Sequence, residues 1–284
     1  MSVRFPRAFV DRDMLRQLPG TAWLIGEGGR ARVLVHEGAE RDVVADRRLG
    51  CSLAAVAGAV NAAGFLAVGY YSANMTGNVS TLATALHAGH VALLMSCIGL
   101  IGAFVVGAVL ATLLVNAGRR WALSSVYAWS ILLEACLLGL LALVDILLPG
   151  THRGVMLAYG LSFLMGLQNA TVTRISGARV RTTHMTGMLT DVGIELADWL
   201  DSFFHSTDPA QLARTRERLW LHGAIVLSFT TGGIAGAFLY GWWSGRFLLL
   251  LAVLLACLSL PGTVRRADVL SSAENMVQKN SSNM

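Results

Sequence analysis

The sequence predicts an all-α integral membrane protein: six transmembrane helices plus two re-entrant half-helices, arranged as an inverted 3+3 repeat. Three observations carry this. First, the chain is short of charge: of 284 residues, 55% are hydrophobic and 14% charged, with a mean hydropathy of +0.59. A soluble domain carries about a quarter charged residues. Second, most of the charge lies before Gly50, in a few short loops and after Pro261, leaving apolar runs between them. Such runs suit a hydrocarbon core about 30 Å thick, which takes ~20 helical residues to cross. Helices of a soluble core keep a polar face, and these are apolar all round. Third, one short motif occurs twice in the same setting.

The spans read as about 50–70, 91–115, 122–148, 154–171, 220–240 and 243–260. Two segments, 74–88 (NMTGNVSTLATALHA) and 184–201 (HMTGMLTDVGIELADWLD), are apolar in part but do not read as plain spans. The second holds Asp191, Glu195, Asp198 and Asp201, and an Asp at a span centre costs about 2.5 kcal/mol or more. At the N-terminus Arg4, Arg7, Asp11, Arg12, Asp13 and Arg16 interrupt any secretory h-region. Residues 21–48 are expected as a hairpin around Glu27-Gly28-Gly29-Arg30 or as flexible chain. The division expected is a cytoplasmic segment 1–48, membrane repeats 49–148 and 149–262, and a polar, disordered cytoplasmic tail 263–284.

Arginine placement selects the topology. Suppose both extra segments return to the side they enter from, with the N-terminus inside. Then Arg119, Arg120, Arg174, Arg179, Arg181, Arg214, Arg216, Arg218, Arg265 and Arg266 all face the cytoplasm. Only Arg153 and Arg246 fall outside. If both segments cross, Arg119, Arg120, Arg174, Arg179 and Arg181 move outside, against the positive-inside rule.

The repeat is read from matched residues. Asn61-Ala62 is followed by Met75-Thr76-Gly77, and Asn169-Ala170 by Met185-Thr186-Gly187; Asn and Met stand 14 residues apart in one half and 16 in the other. Each motif precedes a span with small residues at four-residue steps: Gly99, Ala103 and Gly107, then Ser228, Gly232 and Gly236. That spacing puts them on one helix face for close packing. A Leu-rich third span follows each. Three crossings per half would place the second half upside down, a common plan among transporters.

The strings AGAVNAAGFLAVGYYSANMTGN and GLQNATVTRISGARVRTTHMTG resemble the two signature blocks of the YoaK-like family of bacterial membrane proteins, which share a domain of unknown function. The resemblance spans about residues 50–262 and implies a bacterial setting and presumed transport. Several members carry Asp where this chain has Asn61.

In the inverted plan both MTG helices, expected to start at Thr76 and Thr186, would meet near the midplane. Thr suits an N-cap, Gly permits close approach, and both N-termini would offer N–H donors and partial positive charge. The expected substrate site is Asn61, Thr76, Gly77, Asn78, Gln168, Asn169, Thr186 and Gly187, with Asn and Gln amides both donating and accepting. The alternative is that the motif is a packing hinge and the amides tie helices together. Glu134, mid-span, is the proton-coupling candidate; bonding to a neighbouring helix is its structural alternative. Asp191 and Glu195 would stand at a cytoplasmic mouth, or form with Asp198 a solvated face answering Arg214–Arg218. Cys51, Cys97, Cys136 and Cys257 are read as packing residues, the histidines lack zinc-site spacing, and Trp199, Trp220, Trp242 and Trp243 suit interfacial anchoring.

The expected function is transport or facilitated passage of a small polar, anionic or neutral solute in the bacterial inner membrane, both termini cytoplasmic. A passive channel and a non-transporting scaffold acting through residues 1–48 are the alternatives. No catalytic or phosphate-binding motif argues for an enzyme, and no cofactor, metal or nucleic acid is expected. The small-residue faces would also suit a homodimer.

Overall fold

The computed structural model describes residues 43–121, 126–178 and 181–259. Its elements are α1 Val43–Val68, α2 Met75–His87, α3 Val91–Arg120, α4 Val126–Leu147, α5 Gly150–Ile175, α6 Met185–Asp201 and α7 Pro209–Trp243, followed by α8 Gly245–Ser259. There is no strand among the described residues.

Five helices are long and apolar enough to cross a bilayer: α1 from Arg47, then α3, α4, α5 and α7. The expected sixth span, 243–260, appears as the shorter α8. At 1.5 Å per residue its described part rises about 22 Å, less than the ~30 Å of hydrocarbon. A one-residue corner at Ser244, with φ of 48°, breaks it from α7.

Other bounds also move. α1 starts at Val43 rather than about 50, so Arg47 and Arg48 ride on its first turns. α7 starts at Pro209 rather than about 220. Asp208 accepts a hydrogen bond from the Ala210 N–H at 3.1 Å, and proline follows in the first turn. Both are helix-start signals. Arg214, Arg216 and Arg218 therefore sit on a helix, not in a loop. The proposed N-terminal hairpin and the tail from 263 lie outside the described residues.

Helix directions follow from paired contacts. α3 runs alongside α5 in the same direction: Gly99 meets Tyr159, the Leu100 carbonyl accepts from Ser162 at 2.9 Å, and Gly166 meets Phe104. α1 and α7 also run together, with Ala55 against Gly232 and Ala59 against Gly236. α1 opposes α5, since Gly64 faces Leu161 while Val68 faces Gly154. α4 opposes α5 (Leu141 with Gly160, Asp145 with Arg153) and opposes α8 (Gly139 with Ala252, Asp145 with Gly245). So the first helix of each half pairs with the third helix of the other half.

The two pairings use equivalent residues. A β-carbon on Gly58 would fall on the Phe229 carbonyl, and one on Gly166 on the Phe104 carbonyl. Likewise Gly107 lies against the Phe163 carbonyl and Gly232 against that of Ala55. Only glycine lets the backbones come this close. The predicted small-residue faces are thus occupied within the chain, in a register that matches Ala103 with Ser228, Gly107 with Gly232 and Ala111 with Gly236. This leaves a homodimer without that support.

α1 and α5 form the centre: half or more of the residues in their apolar stretches are buried, against less than a quarter in those of α3 and α7. The uncovered face of α3 carries Val105, Val106, Val109 and Leu113, each more than half exposed. An apolar surface this continuous is the mark of contact with lipid or protein. On α7, exposed Trp220 and Trp242 stand 22 residues apart. That is about 33 Å along a helix, the separation of two interfacial aromatic belts.

Candidate functional site

The site is built where the chain doubles back. After α1 ends, Gly69 (φ 76°) turns it, and by Ala73 it has returned to the level of Asn61. The Asn61 side-chain oxygen accepts the Ala73 N–H at 2.9 Å. Seven helical residues separate Asn61 from the end of α1, so the return is about 10 Å deep. The second half repeats this: the Asn169 amide donates to the Thr183 hydroxyl. A side-chain amide here substitutes for the strand or helix partner the loop lacks.

From these anchors α2 and α6 begin in the same way. Ser72 and Thr182 are buried, Thr76 and Thr186 exposed, Asn78 and Met188 buried again. The helices start one residue before the expected threonines, at Met75 and Met185. The N-cap is Asn74, not Thr76: its side-chain oxygen accepts from the Gly77 N–H at 3.0 Å. At the other start His184 makes no such bond. Asparagine is among the best N-cap residues and ranks above threonine. The Gly77 N–H is therefore satisfied rather than free for a ligand.

Both starts open onto one cavity of about 820 Å³. Asn61 and Thr76 line it from the first half, Asn169 and Thr186 from the second. Gly77, Asn78, Gln168 and Gly187 do not. Asn78 turns inward, its amide 4.0 Å from the Met75 sulfur. The glycines pack beside their caps, Gly77 against Asn74 and Gly187 against His184. Gln168 is fully buried behind the cavity wall and lies beside Glu134 of α4. Glu134 is 2% exposed, and one of its oxygens and both polar atoms of Gln168 have no hydrogen bond of good geometry.

The cavity also has lining residues that sequence reasoning passed over. Arg174 and Arg181 line it, with His184, and no carboxylate does. Neither arginine has an ion pair among the described residues. Phe104 and Phe229, the equivalent residues whose carbonyls receive Gly166 and Gly58, supply aromatic wall. The signal was present: Arg174 and Arg181 fall in the second signature block where the first has Leu66 and Tyr71.

Two ionic clusters lie elsewhere. Glu195 is buried rather than at an open mouth, and both its oxygens are 2.9–3.0 Å from His222 Nδ1 on α7. Asp191 and Asp198, on the same helix, are exposed and have no ion pair among the described residues. The reading of all three as one face answering Arg214–Arg218 therefore does not hold. At the opposite ends of the helices Asp145, its side chain fully buried, accepts from Arg153 Nε at 2.6 Å and from the Tyr240 hydroxyl at 2.8 Å. That cluster ties α4, α5 and α7 together. Both partners must be present, since an unpaired buried charge is strongly destabilising.

Apolar outer faces and five helices of spanning length define a multi-pass helical membrane protein. Residues 49–260 match the family described as "Protein of unknown function (DUF1275)", and the chain belongs to that family. Comparison with curated proteins and with solved structures gives no match.

Proposed function

We propose that this protein is a transporter or facilitator for a small polar solute, with an anion favoured, in the bacterial cytoplasmic membrane. The observation that carries the reading is the single cavity onto which both MTG starts and both anchoring asparagines open. A cavity of this volume suits a small ligand. Two helix N-termini converge on it, each with partial positive charge, and two arginines with no opposing carboxylate add full charges.

The helix directions support an inverted arrangement. With α1 and α7 running one way and α3 and α5 the other, α2 must leave on the side where α1 ends, and α6 on the side where α5 ends. Irregular backbone at that depth is tolerated where it lines a wet cavity. Arginine placement supports cytoplasmic termini: Arg47, Arg48, Arg119, Arg120, Arg174, Arg181, Arg214, Arg216 and Arg218 fall at one end of the bundle, and Arg153 and Arg246 at the other. Glu134 is the candidate for proton coupling, working through Gln168, since buried ionisable groups in spans are functional by default.

Sided cysteine labelling tests the arrangement, on a background with the four native cysteines replaced. Cysteine at Arg120 should label from the cytoplasm and cysteine at Arg246 from outside, with Thr76 and Thr186 reachable by small reagents. Labelling of Arg120 from outside would mean that α2 crosses and the shared cavity is not a transport site. Flux in liposomes then separates mechanisms: proton dependence lost in Glu134→Gln indicates coupling, and flux without proton dependence indicates a channel.

A further inference from the structure

The cavity is polarised in charge and in greasiness, and the two properties lie at different places. Its cationic part comes from Arg174 at the end of α5 and Arg181 in the loop before α6. At the positions of the first half that correspond to these, the chain has Leu66 and Tyr71, and Tyr71 stacks on Phe65 with ring centroids 4.4 Å apart. Between the two ends lie Phe104 and Phe229. They are held by their own backbones, since Gly166 and Gly58 press on their carbonyls. The walls that carry them are close glycine-to-backbone helix contacts, so the rings are presented by rigid elements.

An inorganic anion needs the cationic part and nothing else. Aromatic wall raises its cost, because chloride or phosphate in contact with an apolar face loses hydration without compensation. Arg174 and Arg181 are exposed, so a neutral polar solute leaves them in water and gains nothing from their charge. A ligand with one carboxylate and a flat apolar body satisfies both regions: guanidinium groups match a carboxylate in geometry and charge, and ring faces prefer an apolar or aromatic partner. We infer that the cavity takes small amphipathic organic monoanions, with the carboxylate toward Arg174 and Arg181 and the apolar body against Phe104 and Phe229. This rests on the reading of the cavity as a solute site, and not on the direction or coupling of transport.

The test is ligand binding by the full-length protein in nanodiscs, followed by thermal unfolding, with benzoate, acetate, cyclohexylmethanol and chloride as probes. Benzoate should stabilise at concentrations about tenfold below acetate, and cyclohexylmethanol and chloride should have little effect at equal concentration. Arg181→Gln should weaken benzoate and acetate alike, about tenfold. Phe104→Leu and Phe229→Leu, which keep an apolar side chain and leave the backbone contacts alone, should weaken benzoate and spare acetate. Equal binding of benzoate, acetate and chloride overturns the inference, as does benzoate binding indifferent to Arg174→Gln and Arg181→Gln. The two readings fail separately. Benzoate binding with the expected residue dependence but no flux in liposomes supports the inference and sinks transport. Flux of polar solutes that benzoate does not inhibit leaves transport standing and overturns the inference.

Discussion

From Tyr71 to Ser80 and from Arg181 to Thr190 the chain takes one path twice. Burial alternates identically along both stretches, an asparagine of the preceding helix anchors each, and each MTG threonine faces the same cavity. The chemistry laid on that path differs. The first stretch begins with an aromatic stack and is capped by Asn74. The second begins with Arg181 and lacks a capping side chain. The helices that follow differ too. α6 is pinned to α7 by the buried Glu195–His222 pair, whereas Ala85 and Cys97 stand buried at the corresponding places on α2 and α3. Backbone geometry is thus shared where two elements must pass closely, and side chains diverge along the rest of the path.

The largest effect should come from breaking what the halves share. Gly58→Val and Gly166→Val each push a side chain into a partner-helix carbonyl, and overpacking costs about 1–3 kcal/mol or more. Both variants should unfold at clearly lower temperature in detergent, by similar amounts, whereas Gly102→Ala, which meets open space, should not. Unequal losses at Gly58 and Gly166 would undo the equivalence of the halves.

Next is the anchor of α6. Glu195→Ala leaves a partly buried imidazole without its partner, a loss of about 1–3 kcal/mol. Hydrogen exchange should then quicken in α6 and stay unchanged in α2. Equal quickening in both would show that the pair does not hold α6 locally.

Arg181→Gln should cut anion uptake into liposomes about tenfold, equivalent to about 1.4 kcal/mol, while Tyr71→Phe changes it little. If both reduce uptake alike, the cavity is not polarised in function. The smallest effect expected is that of the cap: Asn74→Ala should cost about 1 kcal/mol, and His184→Ala nothing measurable, as read from thermal unfolding.

Much of this architecture was legible in the residues. Hydropathy and length located five helices of spanning length, because a bilayer demands both at once. The paired Asn-Ala and MTG strings marked the starts of α2 and α6, and Asn61, Asn169, Thr76 and Thr186 from those strings line one cavity. What stayed hidden was of two kinds. Helix starts shifted because Asn74 caps better than Thr76 and because α7 is nucleated at Asp208-Pro209, before its apolar run begins. The polar clusters stayed hidden because their partners lie on other helices: Asp145 with Arg153 and Tyr240, and Glu195 with His222. No periodicity within one helix reveals a partner on another. Arg174 and Arg181 were read for topology alone, although laying one signature block over the other exposes them as departures from Leu66 and Tyr71.

The crossed pairing of α1 with α7 has a consequence for how the protein is made. The partner that covers Gly58 is Phe229, 171 residues later. At synthesis rates of about 5–20 residues per second, the ribosome needs on the order of ten to thirty seconds to produce it. Throughout that interval the first helix stands in the membrane with its narrow glycine face bare. Neither half can close on itself in the meantime, because each keeps for the other the surface it would need. Assembly therefore waits for the seventh helix, and a truncated chain would offer the vacant face to any other helix nearby.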